Sequence, residues 1–215
     1  WVQARLGTAT VGMTVELLVV WEPEVNDFLA RFVDRHGVGV HHMTFKVSDL
    51  RATLDRCAAF GVHPVGVSLD NPQWREAFIQ PREAHGTVVQ LAQTEYGADD
   101  FARLVADAER TGDPEGTPVW WPRAGTRGDD RVTLDRVVVA SPDRAETRRF
   151  FVDLLDGRVV TDTEAGTDIS WPGGGTVRLV DGERPGVLRL EATGPTGATM
   201  DLSGAPLSIS AALRP

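Results

Sequence analysis

From Val40 to Val47 the chain alternates between apolar and polar positions. A strand sends successive side chains to opposite faces, so this pattern predicts a strand. His41, Met43, Phe45 and Val47 form its mostly apolar face, and His42, Thr44 and Lys46 the polar one. Ser48 is suited to cap a helix that carries Leu50, Leu54, Cys57 and Ala58 at helical spacing and stops at Gly61. The apolar strand face is expected to pack on that helix, which leaves His42 pointing the other way.

The same style of pattern extends in both directions. Residues 2–10 and 13–20 read as strands joined by a turn at Gly12, with Met13, Val15, Leu17 and Val19 on one face and Thr14 and Glu16 on the other. Residues 23–34 read as a bridging helix with Phe28, Leu29, Phe32 and Val33 on one side. After the helix over 49–60, three further strands complete a unit. They are separated by the turn signal Asp70-Asn71-Pro72 and closed by a strand over 87–93, where Val89 and Leu91 share one face and Gln90 takes the other. Residues 95–130 change character and read as a linker rich in Gly, Pro, Asp and Arg. It holds a helix over 100–110, and Trp120 and Trp121 are expected to pack against something.

From Val132 the unit recurs. Residues 134–140 predict a strand, and Ser141-Pro142 predicts a cap with proline at the first helical position. A helix over 143–155 carries Phe150, Phe151, Leu154 and Leu155, and strands follow near 158–162, 168–171, 176–180 and 186–192. Without gaps, Arg136 falls where His42 stood and Asp143 where Asp49 stood. The pattern is a divergent repeat of the first unit.

Composition narrows the partners. The 215 residues carry a formal charge of -9, and Lys46 is the only lysine. An acidic chain without a basic run argues against nucleic acid or an anionic membrane as main partner. No apolar run is long enough to span a bilayer and no signal peptide is visible. The single Cys57 excludes an internal disulfide, fits a reducing, cytoplasmic setting, and reads as a buried, inert thiol. A lone Glu16 inside an apolar strand is expensive to bury without a partner. It is either a surface residue or a ligand or base. His42 is either an ordinary hydrogen-bonded histidine or a ligand. His41 reads as a core residue, His36 and His85 as loop residues, and His63 carries no signal.

Arg35-His36-Gly37, then Gly39-Val40-His41-His42-Met43-Thr44-Phe45, resembles the start of the second module of methylmalonyl-CoA epimerases and related glyoxalase-like proteins of the vicinal oxygen chelate superfamily. Phe78-Ile79-Gln80-Pro81 resembles that module's third strand, Gly86-Thr87-Val88-Val89-Gln90-Leu91 its last, and Met13-Thr14-Val15-Glu16-Leu17-Leu18 the last strand of the preceding module. The resemblance spans roughly residues 1 to 94. It implies an α+β fold of repeated βαβββ modules that form curved mixed sheets around a cavity. Residues 1–38 would be the end of a first module plus a bridging helix, 39–95 the second module, 96–130 a linker with a short helix, and 131–215 a divergent third. The chain begins at Trp1, and residues before it are expected to supply the first module's missing strands and helix.

The resemblance also implies a site. Each module of the superfamily offers metal ligands from its first and last strands, which maps Glu16, His42 and Gln90 onto three ligand positions. Such a donor set suits Co²⁺, Ni²⁺, Mn²⁺, Fe²⁺ or Zn²⁺. The sequence departs from the epimerases at one ligand: Gln90 stands where they carry Glu, and Glu16 where they can carry Gln. The implied activity is that of a metal-dependent isomerase, epimerase, lyase or dioxygenase on a small enolisable carbonyl substrate, with Glu16 as base. The alternative is a metal-free small-molecule binding protein of the bleomycin-resistance type. In the third copy, Arg136 and a last-strand Arg189 or Leu190 make a poor metal site. An uncovered sheet edge predicts a homodimer.

Overall fold

The computed structural model describes residues 2–7, 12–95, 132–172, 174–195 and 207–211, together with Asp100, Arg103, Ala106 and Arg110. The strands β1 (Val2–Gly7) and β2 (Gly12–Leu17) form an antiparallel hairpin. A helix α1 (Phe28–His36) follows. Then come β3 (His42–Lys46), α2 (Leu50–Phe60), β4 (Val65–Ser68), β5 (Arg75–Ile79) and β6 (Val88–Gln93). These four strands make one sheet in the order β3-β6-β5-β4, with β3 and β6 parallel.

The pattern repeats in β7 (Thr133–Ser141), α3 (Arg144–Arg149), β8 (Arg158–Thr163), β9 (Gly166–Ser170) and β10 (Thr176–Asp181). The order β7-β10-β9-β8, with β7 and β10 parallel, matches the first sheet strand for strand. The fold is therefore α+β, built on two βαβββ units. Two more strands, β11 (Gly186–Gly194) and β12 (Leu207–Ala211), extend the second sheet beyond β7 to six strands, and the sheets stay open.

One hydrophobic core joins the two units through their helix-bearing faces. Met43, Ala77, Ile79, Val89 and Leu91 share one face of the first sheet by register and are buried with Leu50 and Cys57 of α2. Val137, Val139, Ile169, Val177 and Leu179 do the same in the second, against Phe150, Phe151 and Leu154. Phe45 meets Trp171 and Phe151 edge-on or tilted, at ring distances of 5.0 and 6.0 Å. Arg56 of α2 pairs with Asp156 at 2.5 Å. The Cys57 thiol is fully buried, and desolvation pushes its pKa up to about 11.

Several local expectations shift. Asp49 caps α2 in place of Ser48: its carboxylate accepts from the Ala52 amide at 3.1 Å. Asp143 likewise caps α3 in place of Ser141, accepting from the Glu146 amide at 2.9 Å, so Pro142 lies outside the helix. A carboxylate at the cap also suits the positive end of the helix dipole. Beyond Arg149 the helix continues as a π turn, Phe150–Leu154, instead of a regular α-helix to residue 155. The strand expected over 13–20 ends at Leu17, and the bridging helix begins at Phe28, not near residue 23, with none of its residues buried. By topology the third unit closes on β10, so the strand over 186–194 is an addition beyond β7. Of the linker helix, the four described residues are helical, with Arg103 paired to Asp100 at 3.0 Å. Trp120 and Trp121 lie outside the described residues. No helix among them is long and apolar enough to cross a membrane.

Candidate functional site

The polar face of the first sheet points away from the shared core. On β3 it carries His42 and Thr44, and on β6 Gln90, which stands opposite Thr44 in the parallel register and opposite Phe78 on β5. The hairpin, a sheet of its own, meets this face at His42. Glu16 pairs with Gln3 and Thr14 with Arg5, so the polar side of β2 is Thr14 and Glu16, and β2 lies against β7 of the other unit. Burial keeps Arg5 below the ordinary guanidinium range.

Glu16 and His42 come together from separate strands. The Glu16 Oε2 lies 3.5 Å from His42 Nε2, with side chains 28% and 12% exposed. On its other edge, His42 Nδ1 lies 3.0 Å from Nδ1 of His41, so one of the two nitrogens donates and the other accepts. His41 is not in the core against α2. It sits just before β3, half-buried, edge-on to Phe28 and Phe32 of α1 at 5.0 and 4.8 Å. There desolvation, followed by the neighbouring charge of His42 and opposed by Glu16, pulls its pKa down to about 4.

Gln90 is buried on the same face, but its amide has nearer partners. The Thr44 hydroxyl donates to Gln90 Oε1 at 2.6 Å, and Gln90 Nε2 donates to Glu76 Oε2 at 2.8 Å. Trp74 Nε1 also donates to Glu76 Oε2, at 2.8 Å. Lys46 reaches over the Trp74 ring at 5.7 Å, and desolvation brings its ammonium down to about 8, although the residue as a whole stays exposed. Thr44, Glu76, Trp74 and His41 thus belong to the polar surroundings of the site; the alternation of the sequence places Thr44 on this face without giving it a role, and does not point to the other three. For Thr44 and Glu76 the signal was available in the alternation of β3 and in a lone carboxylate within β5.

A divalent ion was implied for this site by the resemblance, and three observations bear on the fit. Ligand bonds of about 2.1 Å at a tetrahedral angle set two donors about 3.4 Å apart. The Glu16–His42 separation of 3.5 Å matches that spacing. Two residues along β2 from Glu16, the Thr14 hydroxyl is buried without a hydrogen-bond partner among the described residues, a polar group on the same face. Imidazole nitrogen and carboxylate oxygen are donors suited to such an ion, and Gln90 Oε1, on the same sheet face as His42, already accepts from Thr44. No three His, Cys, Asp or Glu side chains among the described residues cluster closely enough to hold a metal by themselves.

Two hollows among the described residues lie elsewhere. One of about 260 Å³ is lined by Phe60, Arg82, His85, Glu146 and Phe150, among others. The other, about 170 Å³, is lined by Val19, Trp21, Asn26, Phe28 and Leu29. Neither contains Glu16, His42 or Gln90. His42 and Gln90 share one sheet face, and Glu16 reaches His42 from the separate hairpin; neither hollow brings the three together.

No protein-family model matches the chain, and no curated protein matches it. Solved structures do. A hypothetical protein from Staphylococcus aureus superposes with a TM-score of 0.56 over 89% of this chain and 74% of its own, at 13% identity. A Mn(II)-bound glyoxalase from Novosphingobium aromaticivorans gives 0.48 over 72% of this chain and 46% of its own, at 12% identity. A mutant 4-hydroxymandelate synthase from Streptomyces coelicolor gives 0.48 over 77% of this chain and 52% of its own, at 17% identity. The chain spans about half the length of these last two. The first shares its fold, an α+β arrangement of βαβββ units.

Proposed function

We propose that this chain is a metal-dependent enzyme of the vicinal oxygen chelate type, acting on a small enolisable carbonyl compound. The observation that carries the reading is the approach of Glu16 and His42 from two separate strands to a spacing suited to a shared divalent ion. Glu16 and His42 would hold the ion, with Gln90 as the third donor. A divalent ion so held supplies Lewis acidity to two neighbouring oxygens of a bound carbonyl compound.

The chain's own groups supply the rest. Among the described residues Glu16 is the carboxylate paired with His42, and it is the base that removes a proton from carbon next to the carbonyl. Thr44 fixes the Gln90 amide with its oxygen turned toward β3, and Glu76 holds the other end of that amide. The reading extends to epimerase, isomerase, lyase and dioxygenase chemistry, which share this first step or this chelate. The metal-free alternative, a binding protein of the bleomycin-resistance type, has less support, because ligand sequestration gives no reason for the Glu16–His42 approach.

Metal analysis of protein purified without chelator, followed by titration with Mn²⁺, Co²⁺, Ni²⁺, Fe²⁺ and Zn²⁺, tests the metal. Deuterium wash-in next to the carbonyl of small acyl and keto compounds in D₂O tests the base. The expected result is a stoichiometric ion, and wash-in that Glu16→Gln abolishes. Absence of any bound ion in the wild-type chain would overturn the enzyme reading in favour of the binding protein.

A further inference from the structure

We infer that His41 is the positioning residue of this site: it shares one proton with His42 Nδ1 and thereby sets whether His42 Nε2 presents a hydrogen or a lone pair toward Glu16. This inference rests on the reading of Glu16 and His42 as the ion-holding pair.

The geometry leaves two arrangements. At 3.0 Å between the two Nδ1 atoms, a neutral pair holds one proton between them. If His41 Nδ1 carries it, His42 Nδ1 accepts, and His42 Nε2 bears its own hydrogen toward the Glu16 carboxylate 3.5 Å away. If His42 Nδ1 carries it, His41 accepts, and His42 Nε2 offers a bare lone pair toward that carboxylate. The first arrangement suits the carboxylate alone. The second sets a lone pair against a negative oxygen, and a cation between them makes it the favoured one. Binding an ion therefore requires His42 Nε2 to release its hydrogen to solvent and His41 to change from donor to acceptor, its Nδ1 hydrogen passing to His42 Nδ1 while its Nε2 takes one from solvent, with no net change in charge. A fixed backbone carbonyl at this place could only accept, and an ammonium could only donate. An imidazole can do either without moving its ring, and Phe28 and Phe32 hold that ring edge-on from α1. This also gives α1, whose residues are otherwise unburied, a role at the site.

Groups that hold the other nitrogen of a metal-ligating histidine typically change metal affinity by about 10–100-fold when lost. The test compares His41→Phe, which keeps an aromatic ring between Phe28 and Phe32 but has no nitrogen, with His41→Asn, whose amide restores a polar atom near the position of Nδ1. Zn²⁺ and Mn²⁺ are the probes, read by calorimetric titration. Long-range ¹H–¹⁵N spectra read the His42 tautomer. The inference expects Zn²⁺ affinity to fall about 10–100-fold in His41→Phe and to recover most of that loss in His41→Asn. It also expects the His42 proton to pass from Nε2 in the free protein to Nδ1 with Zn²⁺ bound. Wild-type affinity in His41→Phe, with a folded spectrum, overturns it. If the wild-type chain binds neither ion, the metal reading falls, and the free-protein spectra then decide alone: an unchanged His42 tautomer in His41→Phe overturns the role of His41, and a lost preference upholds it.

Discussion

The two βαβββ units present the same framework with opposite electrostatics. In the second sheet Arg136 occupies the place on β7 that His42 has on β3. The parallel register sets Arg178 on β10 where Gln90 stands on β6, and Asp168 on β9 where Phe78 stands on β5. Arg178 is thus the last-strand equivalent, not Arg189 or Leu190 as the sequence spacing implied. Each unit's first strand also meets a glutamate from a strand outside the unit: Glu16 lies 3.5 Å from His42, and Glu191 of β11 lies 2.9 Å from Arg136. In the unit of β7–β10, the third of the modules the sequence implies, the cation is part of the chain. The Arg136 guanidinium lies between Glu191 and Asp168, and Arg178 closes on Asp168 with bonds of 2.7 and 2.6 Å. In the unit of β3–β6, the second of those modules, Glu16 has, among the described residues, only an imidazole edge before it. The same framework is stapled by its own charges in one copy and left with ligand-type groups in the other.

The sharpest break in this comparison is the removal of one carboxylate from each unit. Asp168 is nearly buried, and hydrogen bonds from Arg178, helped by Thr161 and by the charges of Arg178 and Arg136, hold its carboxyl below the usual range against the opposing effect of burial. Asp168→Ala leaves two half-buried guanidinium groups underpaired, and breaking buried pairs by removing one partner costs several kcal/mol. With the arginines about one-third exposed, a loss of about 2–3 kcal/mol is expected in urea unfolding. Glu16→Gln should cost under about 1 kcal/mol, because His42 is its one ion-pair partner among the described residues and an amide can still meet it. Equal losses in the two variants would mean that Glu16 is a structural group like Asp168.

His42→Arg makes the second unit imitate the third. A guanidinium there brings its own cation to Glu16. Zn²⁺ and Mn²⁺ binding should fall by at least about 100-fold, while the unfolding midpoint holds or rises slightly. The converse Arg136→His should create no metal site, since Arg178 still stands at the position of Gln90. Zinc binding by that variant would show that the contrast between the units lies in one residue only.

How much of this was legible beforehand differs between framework and chemistry. Alternation in β3 and helical spacing in α2 placed both elements to within a residue or two, because burial on one face imposes those periods directly. The facing of His42 and Glu16 followed from parity alone. What parity could not give was distance along and across strands. Gln90 has the right face, yet its amide is turned to Thr44 and Glu76, and nothing in the spacing of residues 44, 76 and 90 announces that. His41 was assigned to the core by the same parity, but the strand begins one residue later, and two phenylalanines of α1 take its ring. The role of β11 was misread because a strand added in sequence after β10 resembles a closing strand until its neighbour is known to be β7.

Acid should separate the units as well. His41 has a folded pKa of about 4, below its unfolded value near 6.5. Between those values the unfolded chain binds the extra proton, so stability falls as pH drops from about 6.5 to about 4. At about 1.4 kcal/mol per tenfold change in proton affinity, and allowing for partial exposure, this amounts to about 2 kcal/mol. Asp168 acts in another window: its folded carboxyl lies below the ordinary 3.8, so its contribution is intact above that value and is lost only as pH falls further. The stability profile should therefore lose a first component between pH 6.5 and 4 that His41→Phe removes. It should lose a second below pH 3.8 that Asp168→Asn removes. A single acid limb untouched by His41→Phe would place the early loss elsewhere.

The smallest contrast is the one in which the units should agree. Asp49 and Asp143 both adopt an extended backbone, and each accepts a bond from the amide three residues on, at 3.1 and 2.9 Å. Replacing such a cap by alanine costs about 1 kcal/mol. Asp49→Ala and Asp143→Ala should therefore each lower stability by about 1 kcal/mol, equally within error, because the caps are exposed and depend little on the chemistry of either sheet. Ser48 provides the control. Its side chain has no part in the cap, so Ser48→Ala should change stability by less than about 0.5 kcal/mol. Ser141 cannot serve in the same way, since its hydroxyl is buried against Thr147 at 2.7 Å and accepts from the Asp143 amide at 3.0 Å, giving it a packing role the first unit lacks. If Ser48→Ala were to cost as much as Asp49→Ala, the first helix would start one residue earlier than the second, and the strand-for-strand equivalence of the two units would fail at its simplest point.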